Sequence, residues 1–147
     1  MKSLFNPQER QEIIDRIASL SEDSEREWGK MSASQMLVHA QAPIKVGIGE
    51  LKLSSSLIFL ILGPIIKKKI MKEEPFEKNL PTHKSFIVSY DPNLEAEKQN
   101  LINLINKFDA QKDNLAIKHP IFGKMSTQQW DVLLWKHTDH HLRQFGV

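Results

Sequence analysis

Near its C-terminus the chain carries two histidines on an apolar helical stripe. Trp130, Leu134, His137 and His141 follow one another at steps of four, three and four residues. This spacing places the four side chains on one face of a helix, directed at the interior of a helical domain. A buried imidazole needs a partner for each ring nitrogen, and two imidazoles one turn apart meet that need if they share a metal ion. The stripe therefore predicts both a helical core and a candidate metal site.

A second pattern predicts where two of the helices begin. Gly-Lys-Met-Ser occurs at residues 29–32 and again at 123–126, each time with a Gln three residues after the Ser. This is the capping-box pattern, in which the Ser and Gln side chains each bond a backbone N–H at the helix start. The repeat fits a weak internal duplication and a favoured capping solution equally well.

The capping serines also give the histidines a common reference. Measured from Ser32, His39 lies at +7, and measured from Ser126, His137 lies at +11 and His141 at +15. These offsets give all three similar angular positions on their helices. If the two helices lie side by side, His39, His137 and His141 are candidate ligands for a divalent transition metal such as zinc, nickel or iron, with coordination positions left open. The alternative to metal binding is that these histidines are structural residues held by hydrogen bonds.

The remaining periodicity predicts an all-α chain of one domain, residues 1–147. A first helix opens at Asn6-Pro7 and buries Ile13, Ile14, Ile17 and Leu20. The second carries Pro43, which we expect to kink it or to end its first part. A third segment, Leu57 to Ile66, is read as an additional apolar helix that is broken near Gly63-Pro64 and ends in Lys67 to Lys72.

After this segment the helical period is lost and then returns. Residues 73–90 are expected to form a long ordered loop or a short extended piece. Asp91-Pro92 is read as the opening of an amphipathic helix over about residues 92–111, and His119 to Phe122 as a turn, because the residue before a proline avoids helical angles. The last helix follows Ser126.

Composition excludes several classes of protein. The formal charge of +2 arises from 20 basic and 18 acidic residues without segregation, which argues against a nucleic-acid partner. The absence of cysteine excludes disulfides, thiolate ligands and a cysteine nucleophile. The N-terminus lacks the apolar core of a signal peptide, so we expect a cytoplasmic protein. The apolar run Leu57 to Ile66 is shorter than the roughly 20 residues of a membrane span, although with its lysines a membrane-surface contact is a minor alternative.

Several catalytic motifs are missing. Thr138 stands where a metalloprotease H-E-x-x-H motif would need Glu, and the chain has no glycine-rich phosphate loop or G-x-S-x-G elbow. His140 falls off the stripe and is read as a rim group or as a substitute for one of the pair. His83 and His119 are read as surface or turn residues, with lining of the site mouth as the lesser alternative. Trp28, Trp130 and Trp135 are read as packing residues.

These motifs resemble the DinB/YfiT-like superfamily of metal-binding bundles. The resemblance to the superfamily rests on Ser32 to His39 and on His137, His141 and Gln144. With residues 28–32, 78–82 and 119–123 included, the chain more closely resembles one branch, which is catalogued as a domain of unknown function. It implies a four-helix bundle of up-down-down-up connectivity, with the apolar segment inserted between the second and third bundle helices. It also implies that His39, His137 and His141 hold the metal, and that a small thiol such as bacillithiol or mycothiol is a cofactor. Pro43 and the apolar insertion depart from the pattern.

Three functions follow as hypotheses. The first is a transferase in which a bound metal activates a low-molecular-weight thiol toward a small-molecule electrophile. The second is a hydrolase that uses a bound hydroxide, with Asp139, His140 and Glu50 as nominal bases. The third is a non-catalytic bundle whose apolar segment docks a partner or a membrane surface. A homodimer is left open.

Overall fold

The computed structural model of the chain describes residues 1–54, 57–80 and 82–147, and for residues 57–61 the backbone only. The chain is mostly helical, which confirms the predicted class. The α-helices are α1 (Pro7–Ser19), α2 (Ala33–Gly47), α3 (Leu57–Ile70), α4 (Leu94–Ala110) and α5 (Thr127–Arg143). Single 3₁₀ turns occupy Lys84–Phe86 and Lys112–Asn114, and a short antiparallel hairpin pairs β1 (Lys118–His119) with β2 (Gly123–Lys124). The single domain over residues 1–147 and the up-down-down-up topology stay predictions.

The helix starts follow the predicted caps, with one correction. The Asn6 side chain accepts hydrogen bonds from the N–H groups of Gln8 and Glu9, and both Ser32 and Ser126 form complete capping boxes. The opening assigned to Asp91-Pro92 is wrong, since the cap is Asn93, whose side chain accepts from Ala96 N. Because that amide oxygen satisfies the free N–H of the first turn, α4 begins two residues later than predicted.

Neither internal proline ends a helix. We expected Pro43 to kink α2 or to end its first part and the apolar helix to be broken near Gly63-Pro64, but α2 runs on to Gly47 and α3 to Ile70. Pro43 is buried, so packing of the helix offsets the lost backbone hydrogen bond. Gly63 has a different role, because a Cβ there would collide with the carbonyl oxygen of Ile121. Glycine thus lets α3 lie against the hairpin. The side chains of residues 57–61, which belong to the predicted apolar segment, lie outside the described residues.

The core lies where α2 packs against α4 and α5, and α1 against the same two helices. Fully buried side chains include Ile13, Ile17, Met36, Leu37, Ile44, Leu101, Ile105, Phe108, Trp130 and Leu134. The Trp130 indole N–H donates to the carbonyl oxygen of Ala116 at 2.6 Å, so the ring is both packed and satisfied. The predicted packing role of Trp130 and Trp135 is confirmed, and this core fixes the mutual position of α2 and α5.

The hairpin was not predicted. Its strands are two residues long, too short for an alternating pattern, although three residues of the predicted turn, Pro120 to Phe122, lie between them. Among the described residues, no helix has the length and apolar character needed to cross a membrane.

Candidate metal centre

Three imidazoles from two helices meet in the interior. His39 comes from α2, while His137 and His141 lie one turn apart on α5. The ring centroids are 5.1 Å apart for His39 and His137, 4.6 Å for His39 and His141, and 4.6 Å for His137 and His141. One ring nitrogen from each lies within 4.8 Å of the others. The structure therefore brings together the three residues that the sequence proposed as ligands.

Hydrogen bonds orient two of the rings. His39 Nδ1 lies 3.0 Å from the carbonyl oxygen of Phe86, and His141 Nδ1 lies 2.9 Å from Oε1 of Gln144. Both oxygens are acceptors, so each Nδ1 carries the proton and each Nε2 keeps its lone pair. This is the tautomer that a metal-ligating histidine adopts when its other nitrogen is fixed by a carbonyl group.

The third histidine has an unsatisfied nitrogen. His137 Nδ1 is buried, and no hydrogen-bond partner for it occurs in the described parts of the chain. A buried polar atom without a partner is costly, and in native proteins it commonly marks a site for a ligand or ion. A metal is one group that would complete this arrangement.

Burial keeps the three rings neutral. Desolvation lowers the pKa of His39, places that of His137 well below its ordinary value and brings that of His141 to about 3. The neighbouring imidazoles add to the lowering at His137 and His141, since two adjacent positive charges repel. Neutral imidazole is the form that binds metal, so these groups need lose no proton at neutral pH.

The orientation of His141 depends on the segment before α2. Gln144 Nε2 donates to the carbonyl oxygen of Trp28 at 2.7 Å. The main-chain carbonyl oxygen of Gln144 accepts from Glu27 N at 2.8 Å. Gly29, with φ of +81°, lies so close that a Cβ would collide with Gln144 Nε2. A side chain at position 29 would therefore displace the amide that holds His141.

The histidines face a cavity of about 620 Å³, a size typical of sites for small molecules. Its wall is mainly apolar, and of the described residues that line it Lys30 alone carries a full charge. Polar side chains of Gln35, Asn79 and Thr82 also line it, and the apolar lining side chains are Met31, Pro43, Ile70, Phe76, Leu80, Phe86, Ile87, Val88, Ile121, Phe122 and Leu133.

Comparison with known proteins places the chain in a family. Residues 3–146 match the family described as a protein of unknown function, DUF1569. The chain belongs to this family. No curated protein and no solved structure was found to match it.

In this DUF1569 chain the other histidines take part in the cavity. His140 is half-buried and lines the wall, with its ring centroid 5.1 Å from that of His141, which fits the predicted rim position. The favoured reading of His83 and His119 as surface or turn residues is incomplete, since both line the cavity. His119 is buried, and its Nδ1 accepts from the N–H groups of Ile121 and Phe122. It therefore shapes the hairpin turn from inside.

Other candidates lie elsewhere. Asp139 is paired with Arg16 at 2.8 Å and with Arg143 at 2.9 Å, and Glu50 is paired with Lys107. Neither carboxylate lines the 620 Å³ cavity. Trp28 was read as a packing residue, but its ring borders the cavity and its carbonyl fixes Gln144. Sequence reasoning missed the backbone acceptors of Trp28 and Phe86, since a carbonyl leaves no mark in the sequence.

Proposed function

We propose that this protein is a metal-dependent enzyme that transfers a small thiol to an electrophilic substrate. The observation that carries the proposal is the convergence of His39, His137 and His141 on one point, with one nitrogen from each within 4.8 Å, at the wall of a 620 Å³ cavity. The resemblance to DinB-like bundles supports the same reading. In this proposal α1, α2, α4 and α5 form the four-helix bundle of up-down-down-up connectivity, and α3 is the inserted apolar helix.

The residues present fit a divalent transition metal. Each histidine is neutral, and the unpartnered Nδ1 of His137 marks an unfinished constellation. Three nitrogen donors suit zinc, nickel or iron, and they leave positions open for a further ligand. The bond from zinc to an imidazole nitrogen is about 2.1 Å long. When bound, such an ion lowers the pKa of a coordinated thiol so that thiolate forms at neutral pH.

The surroundings favour a thiol over a hydroxide as nucleophile. A metal-dependent hydrolase usually needs a base near the bound water, and no carboxylate occurs among the described residues of the cavity wall. Asp139 is held by two arginines and Glu50 by Lys107, which removes two of the three nominal bases. A thiol needs no comparable base. In the transfer its sulfur bonds to a carbon of the substrate, the leaving group departs with its bonding electrons, and the thiol proton passes to solvent.

The test joins metal analysis to a thiol panel. Protein purified without chelators is assayed for metal content and for turnover of epoxide and alkyl-halide electrophiles with bacillithiol, mycothiol and cysteine. We expect about one metal per chain and turnover that requires thiol. His39→Gln and His141→Gln are expected to lose both, whereas His83→Gln, which alters a cavity histidine outside the trio, is expected to keep the metal.

Two results would overturn the proposal. Turnover of esters or amides at full rate without any thiol would identify the hydrolase instead. Protein that takes up no zinc, nickel or iron, and whose stability these ions leave unchanged, would identify a non-catalytic helical protein.

A further inference from the structure

Hydrogen bonds hold several parts of the cavity wall beside the histidines in place. Phe86 is tied to His39 through its carbonyl oxygen at 3.0 Å, so the segment that carries Ile87 is anchored to α2. The turn that carries Ile121 is held by His119, whose Nδ1 accepts from Ile121 N at 3.0 Å. These two apolar parts of the wall are thus each fixed by a hydrogen bond to a buried histidine.

A third part of the wall is fixed by a buried lysine. The Lys136 ammonium donates to the carbonyl oxygens of Ile70 at 2.8 Å and Lys72 at 2.7 Å, and lies 4.7 Å from the centroid of the Phe76 ring. Ile70 and Phe76 both face the cavity. Lys136 therefore holds the end of α3 and the start of the following loop in place as cavity wall.

The chemistry of this wall limits what can fill it. A polar group placed against apolar side chains loses its water without gaining a partner, whereas each methylene removed from water stabilises the complex. A polar thiol such as bacillithiol would find partners only at the polar part of the wall, which includes Lys30, Gln35, Asn79 and Thr82. The apolar volume therefore belongs to the other reactant.

We infer that the cavity takes an amphipathic substrate, whose hydrocarbon or aromatic body lies against Phe76, Ile87, Ile121 and Phe122 while a single reactive polar group points toward the three histidines. The inference rests on the proposed function only for the reactive group. The apolar body is a property of the cavity alone, and it is testable without metal, thiol or turnover.

The test uses full-length, metal-free protein titrated calorimetrically with 1-hexanol, 1-octanol and 1-decanol. We expect one site per chain, an affinity that rises roughly fourfold for each added methylene, and a negative change in heat capacity. Octane-1,8-diol serves as the matched ligand, because its second hydroxyl would be buried against the apolar wall. It is expected to bind at least about tenfold more weakly than 1-octanol.

Matched variants locate the binding. Ile87 is 62% exposed and lines the cavity, whereas Ile117 is 70% exposed and does not. Ile87→Asp is expected to weaken 1-octanol binding about fivefold or more and Ile117→Asp to leave it unchanged. Ile121→Asp is expected to weaken it further, and if that variant fails to fold, the exposed Ile87 position carries the test.

Affinity that does not depend on chain length, equal binding of octane-1,8-diol, or equal effects of Ile87→Asp and Ile117→Asp would overturn the inference. Its failure is separate from that of the proposed function. If the protein binds alkanols but no metal, the enzyme proposal alone is contradicted. If the protein is a thiol-dependent enzyme but binds no alkanol, only the inference of an amphipathic substrate is contradicted.

Discussion

Gln144 joins His141 to the backbone of the segment before α2. Its Oε1 accepts from His141 Nδ1 and its Nε2 donates to the Trp28 carbonyl, so one amide fixes the tautomer and the direction of the ring. Groups that orient a metal-ligating histidine in this way typically change metal affinity by about 10–100-fold when they are removed. Position 29 must be glycine for this arrangement, because only a residue without a Cβ leaves space for the Gln144 amide.

We therefore expect Gln144→Ala to weaken zinc binding by about tenfold or more without abolishing it, since all three histidines remain. The measurement is a competitive zinc titration against a chromophoric chelator. Gln128→Ala, at an exposed position on the same helix, is the control and is expected to bind as the natural protein does. Equal affinities for the two variants would show that Gln144 has no part in the site.

His119 offers a pH-dependent test away from the metal centre. Burial lowers its pKa to about 4, whereas in the unfolded chain it is about 6.5. Between these values the unfolded state binds a proton that the folded state does not, so the stability from this group is complete above about pH 6.5 and falls as the pH drops toward 4. The slope is up to about 1.4 kcal/mol per pH unit.

His119→Asn keeps an acceptor for the N–H groups of Ile121 and Phe122 but cannot titrate. Urea unfolding of metal-free protein between pH 4.5 and 6.5 is expected to show a slope shallower by about 1 kcal/mol per pH unit than in the natural protein. A variant that retains the full slope would mean that His119 is not held neutral.

At the level of elements, Lys136 ties the end of α3 and the residues just after it to α5. We expect Lys136→Met to lower the free energy of unfolding by about 1–3 kcal/mol, because it removes two hydrogen bonds from a charged group to backbone carbonyls while keeping the apolar stem. Hydrogen exchange is expected to quicken in residues 66–73. Lys68→Met, at an exposed position in the last turn of α3, should change neither quantity. Unaltered hydrogen exchange in the Lys136 variant would show that these two hydrogen bonds do not hold the end of α3.

The elements also show what the sequence could reveal. The capping boxes at Ser32 and Ser126 and the stripe from Trp130 to His141 depend on residues three or four apart, so they were readable in advance. Neither Pro43 nor Pro64 ends its helix, and at Pro43 the reason is that packing of the buried helix outweighs a local propensity. The hairpin escaped because its strands are too short to show a period.

The candidate site divides in the same way. The His39, His137 and His141 set could be proposed because each lies on a predicted apolar face at a common angle. The carbonyl groups of Phe86 and Trp28, by contrast, arrive from segments distant in sequence, and any residue supplies a carbonyl. The cavity wall likewise depends on where residues 76–80 and 82–88 come to lie, which no periodic pattern reports.

For the whole molecule, the proposed metal site predicts that ion binding and folding are linked. The three histidines join α2 to α5, so an ion that they hold stabilises the folded state and not the separated helices. At zinc concentrations about 100 times the dissociation constant, the free energy of unfolding should rise by roughly 2.7 kcal/mol. Denaturant titration with and without zinc checks this. His141→Gln is expected to lose the increase, and His83→Gln to keep it.

X-ray absorption spectroscopy of the protein loaded with one equivalent of zinc tests the central claim most directly. We expect a first coordination shell with three imidazole nitrogens at about 2.0–2.1 Å, and a loss of imidazole scattering in His137→Gln. A shell of oxygen ligands alone, or a spectrum that the His137 substitution leaves unchanged, would contradict the metal centre and the function proposed for it.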